Sequence, residues 1–94
     1  MALLAIHPGE HLQQELESLS MSAAAFARKI DVPANRITQI LKGERDITAD
    51  TDLRLARYFG LSEGLFLGLQ MDYDLMQRRR EIDRDLKTIR PRAA

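Results

Sequence analysis

Residues 22–43 read SAAAFARKIDVPANRITQILKG, two helix-forming segments separated by a proline break. Ser22 stands ahead of an alanine-rich run, where its hydroxyl can accept from the free N–H groups of a helix over residues 23–30. Met21 before that cap and Phe26 inside it form a hydrophobic-staple pair. Ala23, Phe26, Ala27 and Ile30 fall on one side. Val32 precedes Pro33, and the residue before a proline is pushed out of the α region, so the helix must stop near Asp31. A second helix restarts at Pro33 or Ala34 and runs to Lys42, with Gly43 suited to a left-handed stop. Two short helices across a three-residue break predict a helix-turn-helix over about residues 22–42. Ala27 is small enough for close packing, and Ile37, Ile40 and Leu41 lock the second helix onto the first.

The other face of the second helix carries Asn35, Arg36, Thr38, Gln39 and Lys42, with no acid among them. An α-helix fits the major groove, where Asn or Gln pairs with adenine and Arg with guanine. N-terminal residues of such a helix reach base edges, which points to Asn35, Arg36, Thr38 and Gln39 for base readout. Lys42 at the helix end and Arg45 in the next loop suit phosphates, which set register and salt dependence without reading sequence. The same face also suits plain solvation on a small helical bundle, and these residues alone leave both readings open.

Outward from this unit the chain is punctuated into further helices. A first helix starts at His7-Pro8, with Glu10 in its first turn and Leu12, Leu16 and Leu19 on one face. A fourth begins after Thr48, carries Asp50 and Asp52 in its first turn, buries Leu53, Ala56 and Phe59, and ends at Gly60. Its acids read as dipole partners and solvated charge. A fifth begins after Ser62, with Leu61 and Phe66 as a second staple, and extends over about residues 63–88 until Pro91 stops it. No sustained period-2 alternation or hairpin turn signal appears, so the expectation is one all-α, five-helix domain over residues 1–94. Leu75, Ile82, Leu86 and Ile89 form a stripe on the last helix, beside the triple Arg78-Arg79-Arg80. A helix that pairs with a second subunit or another protein, a helix folded back on its own core, and a contact to nucleic-acid backbone remain open for it. Gly64 and Gly68 would permit close helix approach in such an interface.

The 94 residues are 45% hydrophobic and 30% charged, ordinary for a globular protein and too apolar for disorder. Net charge is zero, yet residues 1–25 carry −3, residues 26–45 carry +3, residues 46–75 carry −4 and residues 76–94 carry +4. A basic segment can thus bind polyanions while the molecule stays neutral. With no cysteine there is no disulfide, zinc ribbon or thiol nucleophile. No apolar run approaches the ~20 residues of a membrane span, and the N-terminus lacks a basic region, so no membrane partner and a cytoplasmic location are expected. His7-Pro8-Gly9-Glu10-His11 matches the letters of a zinc-peptidase pattern, but Pro8 and Gly9 place His7 at the helix start. Capping or surface roles are expected for His7 and His11, with no metal or other cofactor. No nucleophile, base and orienter assemble, since Ser18, Ser20, Ser22 and Ser62 sit at loops and caps, so no enzyme is expected.

The run SMSAAAFARKIDVPANRITQILKGERDITADTDLRLARYFGLSEGLFLGLQMDYDL resembles the XRE/Cro-type helix-turn-helix of the HigA/VapI antitoxin family. HPGE at residues 7–10 and ITADTDLRLARYFG at residues 47–60 resemble it too, so the likeness covers about residues 7–76. The resemblance implies a lambda-repressor-like domain with an extended C-terminal helix. It also implies a homodimeric antitoxin that binds double-stranded operator DNA, represses its own operon and neutralises a HigB/RelE-like mRNA-cleaving toxin. The chain departs from the family at Asp31, where glycine is usual, and at Pro33, where Ser or Thr is usual. LFLGLQ at residues 65–70 stands for FWLNLQ. None of these touches the polar face.

Overall fold

A computed structural model describes residues 5–93. Among them the chain forms helices and no strand: α1 (Pro8–Ser18), α2 (Ala23–Lys29), α3 (Ala34–Leu41), α4 (Ala49–Phe59), α5 (Leu65–Glu81) and α6 (Asp83–Thr88). The all-α expectation holds. The long last helix is divided at Ile82, whose backbone (φ −112°, ψ 20°) leaves the helical region for one residue. The Leu86 N–H returns to the Ile82 carbonyl at 2.9 Å, so helical bonding resumes at once.

Each of the first four helices ends on the same local device. A residue with positive φ follows the helix: Ser20 (52°), Asp31 (59°), Gly43 (76°) and Gly60 (67°). The N–H one residue further on then reaches back to the carbonyl five residues before it: Met21 to Leu16, Val32 to Ala27, Glu44 to Gln39 and Leu61 to Ala56. These are Schellman closures, which satisfy carbonyls the helix leaves open. Asp31 therefore does adopt the left-handed geometry that glycine would take more cheaply.

Helix starts are likewise set by short-range chemistry. His7 caps α1, its Nδ1 accepting from the Gly9 N–H at 2.9 Å, and its ring lies edge-on to Tyr73 with centroids 5.0 Å apart. Ser22 caps α2 by accepting from the Ala25 N–H at 3.1 Å, as its position predicts. Pro33 caps α3 with no side-chain bond, and the Arg36 N–H turns back to its carbonyl at 3.0 Å. Gly9 in the HPGE run is required by packing, since a Cβ there would overlap the Ile40 carbonyl oxygen where α1 crosses the end of α3.

The core lies between α1–α4 and the first turn of α5. Leu12, Leu16, Phe26, Ala27, Ile30, Ile37, Ile40, Ile47, Leu55 and Phe66 are all buried in it. Phe26 at its centre is stacked with Phe59 at 5.6 Å and meets Tyr58 edge-on at 5.2 Å. Burying such a ring contributes about 1.5–3 kcal/mol, and these ring contacts link α2 to α4.

Several sequence expectations need correction. Leu19 lies beyond the end of α1 and is exposed. Leu53 is 48% exposed, because α4 turns Leu55 and Ala56 inward instead. Leu61 does not staple α5, since it belongs to the closure of α4 and is itself exposed, and α5 begins two residues later than expected, at Leu65. Asp52 is not solvated, being 1% exposed. It accepts from the N–H groups of Gly64 at 2.6 Å and Leu67 at 3.0 Å. The cap of α5 thus comes from α4 rather than from Ser62.

Helix α5 packs on the core through Phe66 and Gln70, but beyond Gln70 no residue of α5 or α6 is buried. Leu75 is 54% exposed, Leu86 41% and Ile89 67%, and α6 contains no buried residue. The molecule measures 52 × 27 × 24 Å. Among the described residues no helix is long and apolar enough to cross a membrane.

Candidate nucleic-acid interface

Helix α3 is held at both ends by packed neighbours. Ile37 and Ile40 are fully buried against α1 and α2, which turns the opposite side outward. Asn35 and Lys42 are exposed there, Arg45 is exposed in the loop that follows, and Arg36, Thr38 and Gln39 are half-buried. The residues expected to read bases and those expected to touch phosphates therefore lie along one helix and the start of one loop.

Their hydrogen bonds organise this surface. Gln39 Oε1 accepts from Arg45 Nε at 2.8 Å, so the loop cation is tied to the helix. The amide NH2 stays available, and the carbonyl keeps a second lone pair, the combination an adenine edge requires. Thr38 Oγ1 donates to the Asn35 carbonyl at 3.2 Å. Arg36 Nη1 donates to Asp50 Oδ2 at 2.6 Å, and the same oxygen accepts from Arg54 Nε at 2.9 Å. The hydrogen bonds from Arg54 and Arg36 hold the Asp50 carboxyl below its ordinary pKa, so it is ionised at neutral pH. Arg54 Nη1 also donates to the carbonyls of Ile30 at 2.8 Å and Asp31 at 3.2 Å, which fastens the turn to α4.

The loop bearing Arg45 is anchored from behind by a buried amide. Gln70 of α5 accepts from the Ile47 N–H at 3.0 Å and donates to Asp46 at 3.3 Å and Asp74 at 2.9 Å. Residues 46–47 are thereby fixed on α5 rather than left as a free linker.

Sequence reasoning gave Asp50 and Asp52 only the roles of dipole partners and solvated charge, and it missed Arg54 and Gln70. Asp50 and Arg54 are four apart on α4, a spacing that signals a helical ion pair. The Arg36–Asp50 bond spans 14 residues, and the Gln70–Ile47 bond spans 23. Neither leaves a local trace. Of the stripe, Leu75 on α5, Leu86 on α6 and Ile89 just past α6 are exposed, as is Met71, whereas Ile82 at the break between the two helices is half-buried.

A helix-turn-helix family model matches residues 12–66. Virulence-associated protein I of Dichelobacter nodosus is 49% identical over 72 residues, which cover 76% of this chain and 67% of that protein. The solved addiction-module antidote protein of the HigA family from Coxiella burnetii superimposes with a TM-score of 0.91 at 41% identity, over 96% of this chain and 100% of that one. The Pseudomonas aeruginosa antitoxin HigA, solved with the higBA promoter, gives 0.89 at 35% identity over 95% and 99%.

Proposed function

The chain belongs to the helix-turn-helix family, within its HigA/VapI antitoxin group, and on that premise we propose that it is a DNA-binding antitoxin that represses its own operon. The observation that carries the reading is the outward face of α3. Asn35, Arg36, Thr38 and Gln39 stand on a helix with no acid, and Lys42 and Arg45 follow where phosphates flank a groove. A merely solvated helix has no need of this combination of paired amides, guanidinium and flanking cations. Support for the antitoxin role comes from the likeness over nearly the whole chain to a HigA-family antidote protein and to a HigA antitoxin solved with promoter DNA.

In this reading two copies bind a palindromic operator, with their α3 helices in successive major grooves ~34 Å apart. The stripe of Leu75, Ile82, Leu86 and Ile89 joins the two copies or docks a protein partner, and that partner is a HigB/RelE-like toxin that cleaves mRNA. No catalytic, metal or cofactor role is assigned to any residue.

A gel shift with DNA from upstream of its own gene, with and without the co-expressed product of the neighbouring gene, tests all of this. A specific band at moderate salt, together with co-purification of a small basic neighbour and relief of its toxicity, is expected. A specific band without any toxic neighbour leaves a helix-turn-helix regulator that has no toxin partner. No specific band removes the DNA-binding reading.

A further inference from the structure

Arg36 stands on the outward side of α3, yet a second helix holds it. Its Nη1 is bonded to Asp50 Oδ2, and Asp50 lies in the first turn of α4. That carboxylate is itself fixed, because the same oxygen takes Arg54 Nε, and Arg54 reaches on to the Ile30 and Asp31 carbonyls in the turn after α2. Among the described residues, the other N–H groups of the Arg36 guanidinium bond no protein atom. Exposed ion pairs of this kind contribute little to stability, so the consequence of the arrangement is geometric. An arginine tethered at one nitrogen has already lost much of its rotamer freedom, and a readout contact made by it costs less ordering. A carboxylate beside a polyanion also opposes contacts that do not use Arg36 well.

We propose that Asp50 is a positioning residue for sequence readout: it holds the Arg36 guanidinium across from α4 in the orientation that reads one base pair, and it raises discrimination rather than affinity. The proposal rests on the DNA-binding reading above.

Selection from a randomised duplex pool tests it with the full chain, comparing wild type, R36A, D50N, D50E and the R36A/D50N double variant. D50N is expected to flatten preference about tenfold at the same single position that R36A flattens, leaving other positions unchanged. On a duplex of scrambled sequence D50N binds more tightly, since a negative charge has gone. D50E keeps the charge but displaces the guanidinium, so it flattens the same position without that tightening. In the R36A background D50N flattens nothing further. A purely structural role would instead weaken all positions evenly and lower the thermal midpoint, which overturns the proposal. Unchanged or sharpened preference in D50N overturns it too. A wild type that selects no sequence overturns the DNA-binding reading and this inference with it, whereas an intact wild-type preference unmoved by D50N overturns this inference alone.

Discussion

The buried carboxylate of Asp52 accepts from the backbone N–H of Gly64, 2.6 Å away, and so joins the first turn of α4 to the start of α5. Its second oxygen takes the Leu67 N–H at 3.0 Å, which leaves two otherwise open helix-start donors satisfied by one side chain. Asp52→Ala removes both bonds in a dry site. It is expected to cost about 2–4 kcal/mol, read as a lower urea midpoint at an unchanged slope. A loss within experimental error shows that water replaces the carboxylate.

Asp31 holds a φ of 59° in an exposed turn, a strained choice for a residue with a Cβ. Asp31→Gly is expected to raise stability by about 0.5–1 kcal/mol, and Asp31→Val to lower it by more than that. Equal midpoints for the two variants in urea denaturation sink the assignment of strain.

Gln39 and Lys42 stand three apart at the C-terminal end of α3 and are expected to fail differently. Gln39→Ala should cost about 1–3 kcal/mol of discrimination at one base pair. Lys42→Ala should weaken all duplexes evenly and lower the slope of log K against log salt by about one unit. Titrations on operator and random duplexes at several salt concentrations separate them, and equal losses on both duplexes for Gln39→Ala count against readout.

Leu75 and Ile89 are exposed, so charge there leaves each folded unit intact. Leu75→Asp and Ile89→Asp are expected to keep the helical circular dichroism while reducing the molar mass in solution from two copies to one. An unaltered mass at the same concentration excludes this stripe as the joint between copies.

The Arg36–Asp50–Arg54 contacts depend on an ionised carboxylate whose pKa is lowered by its two arginine hydrogen bonds. With the folded value below the unfolded one, any stability from these contacts is present above the unfolded carboxylate value of about 3.9 and disappears as pH falls through the folded value. The carbon chemical shift of the Asp50 carboxyl, followed from neutral to acid, should titrate below that of a free aspartate, and an ordinary midpoint counts against the pairing.

Helix boundaries were legible where one side chain or one backbone preference sets them. Ser22 caps α2, Gly43 and Gly60 end α3 and α4, and Val32-Pro33 breaks the chain between α2 and α3. The polar side of α3 was legible because the buried Ile37 and Ile40 fix the helix's rotation. What could not be read were partnerships between elements distant in sequence. Asp52 has the look of a first-turn dipole partner until α5 is placed against it, and Leu53, expected inside, gives way to Leu55 once the rotation of α4 is set by Phe26. The start of α5 was misplaced for the same reason, since its cap comes from another helix.

The four matching helix ends also bear on how the chain reaches its native state. Because each corner closes through bonds between residues no more than five apart, the order of turns and helices is written locally, before distant segments meet. A helical chain with mostly neighbouring contacts has a short conformational search, so rapid, two-state acquisition of the first four helices follows. The part of α5 beyond Gln70 and the whole of α6, which contain no buried residue, are then free to assemble late, after the scaffold that presents them has formed.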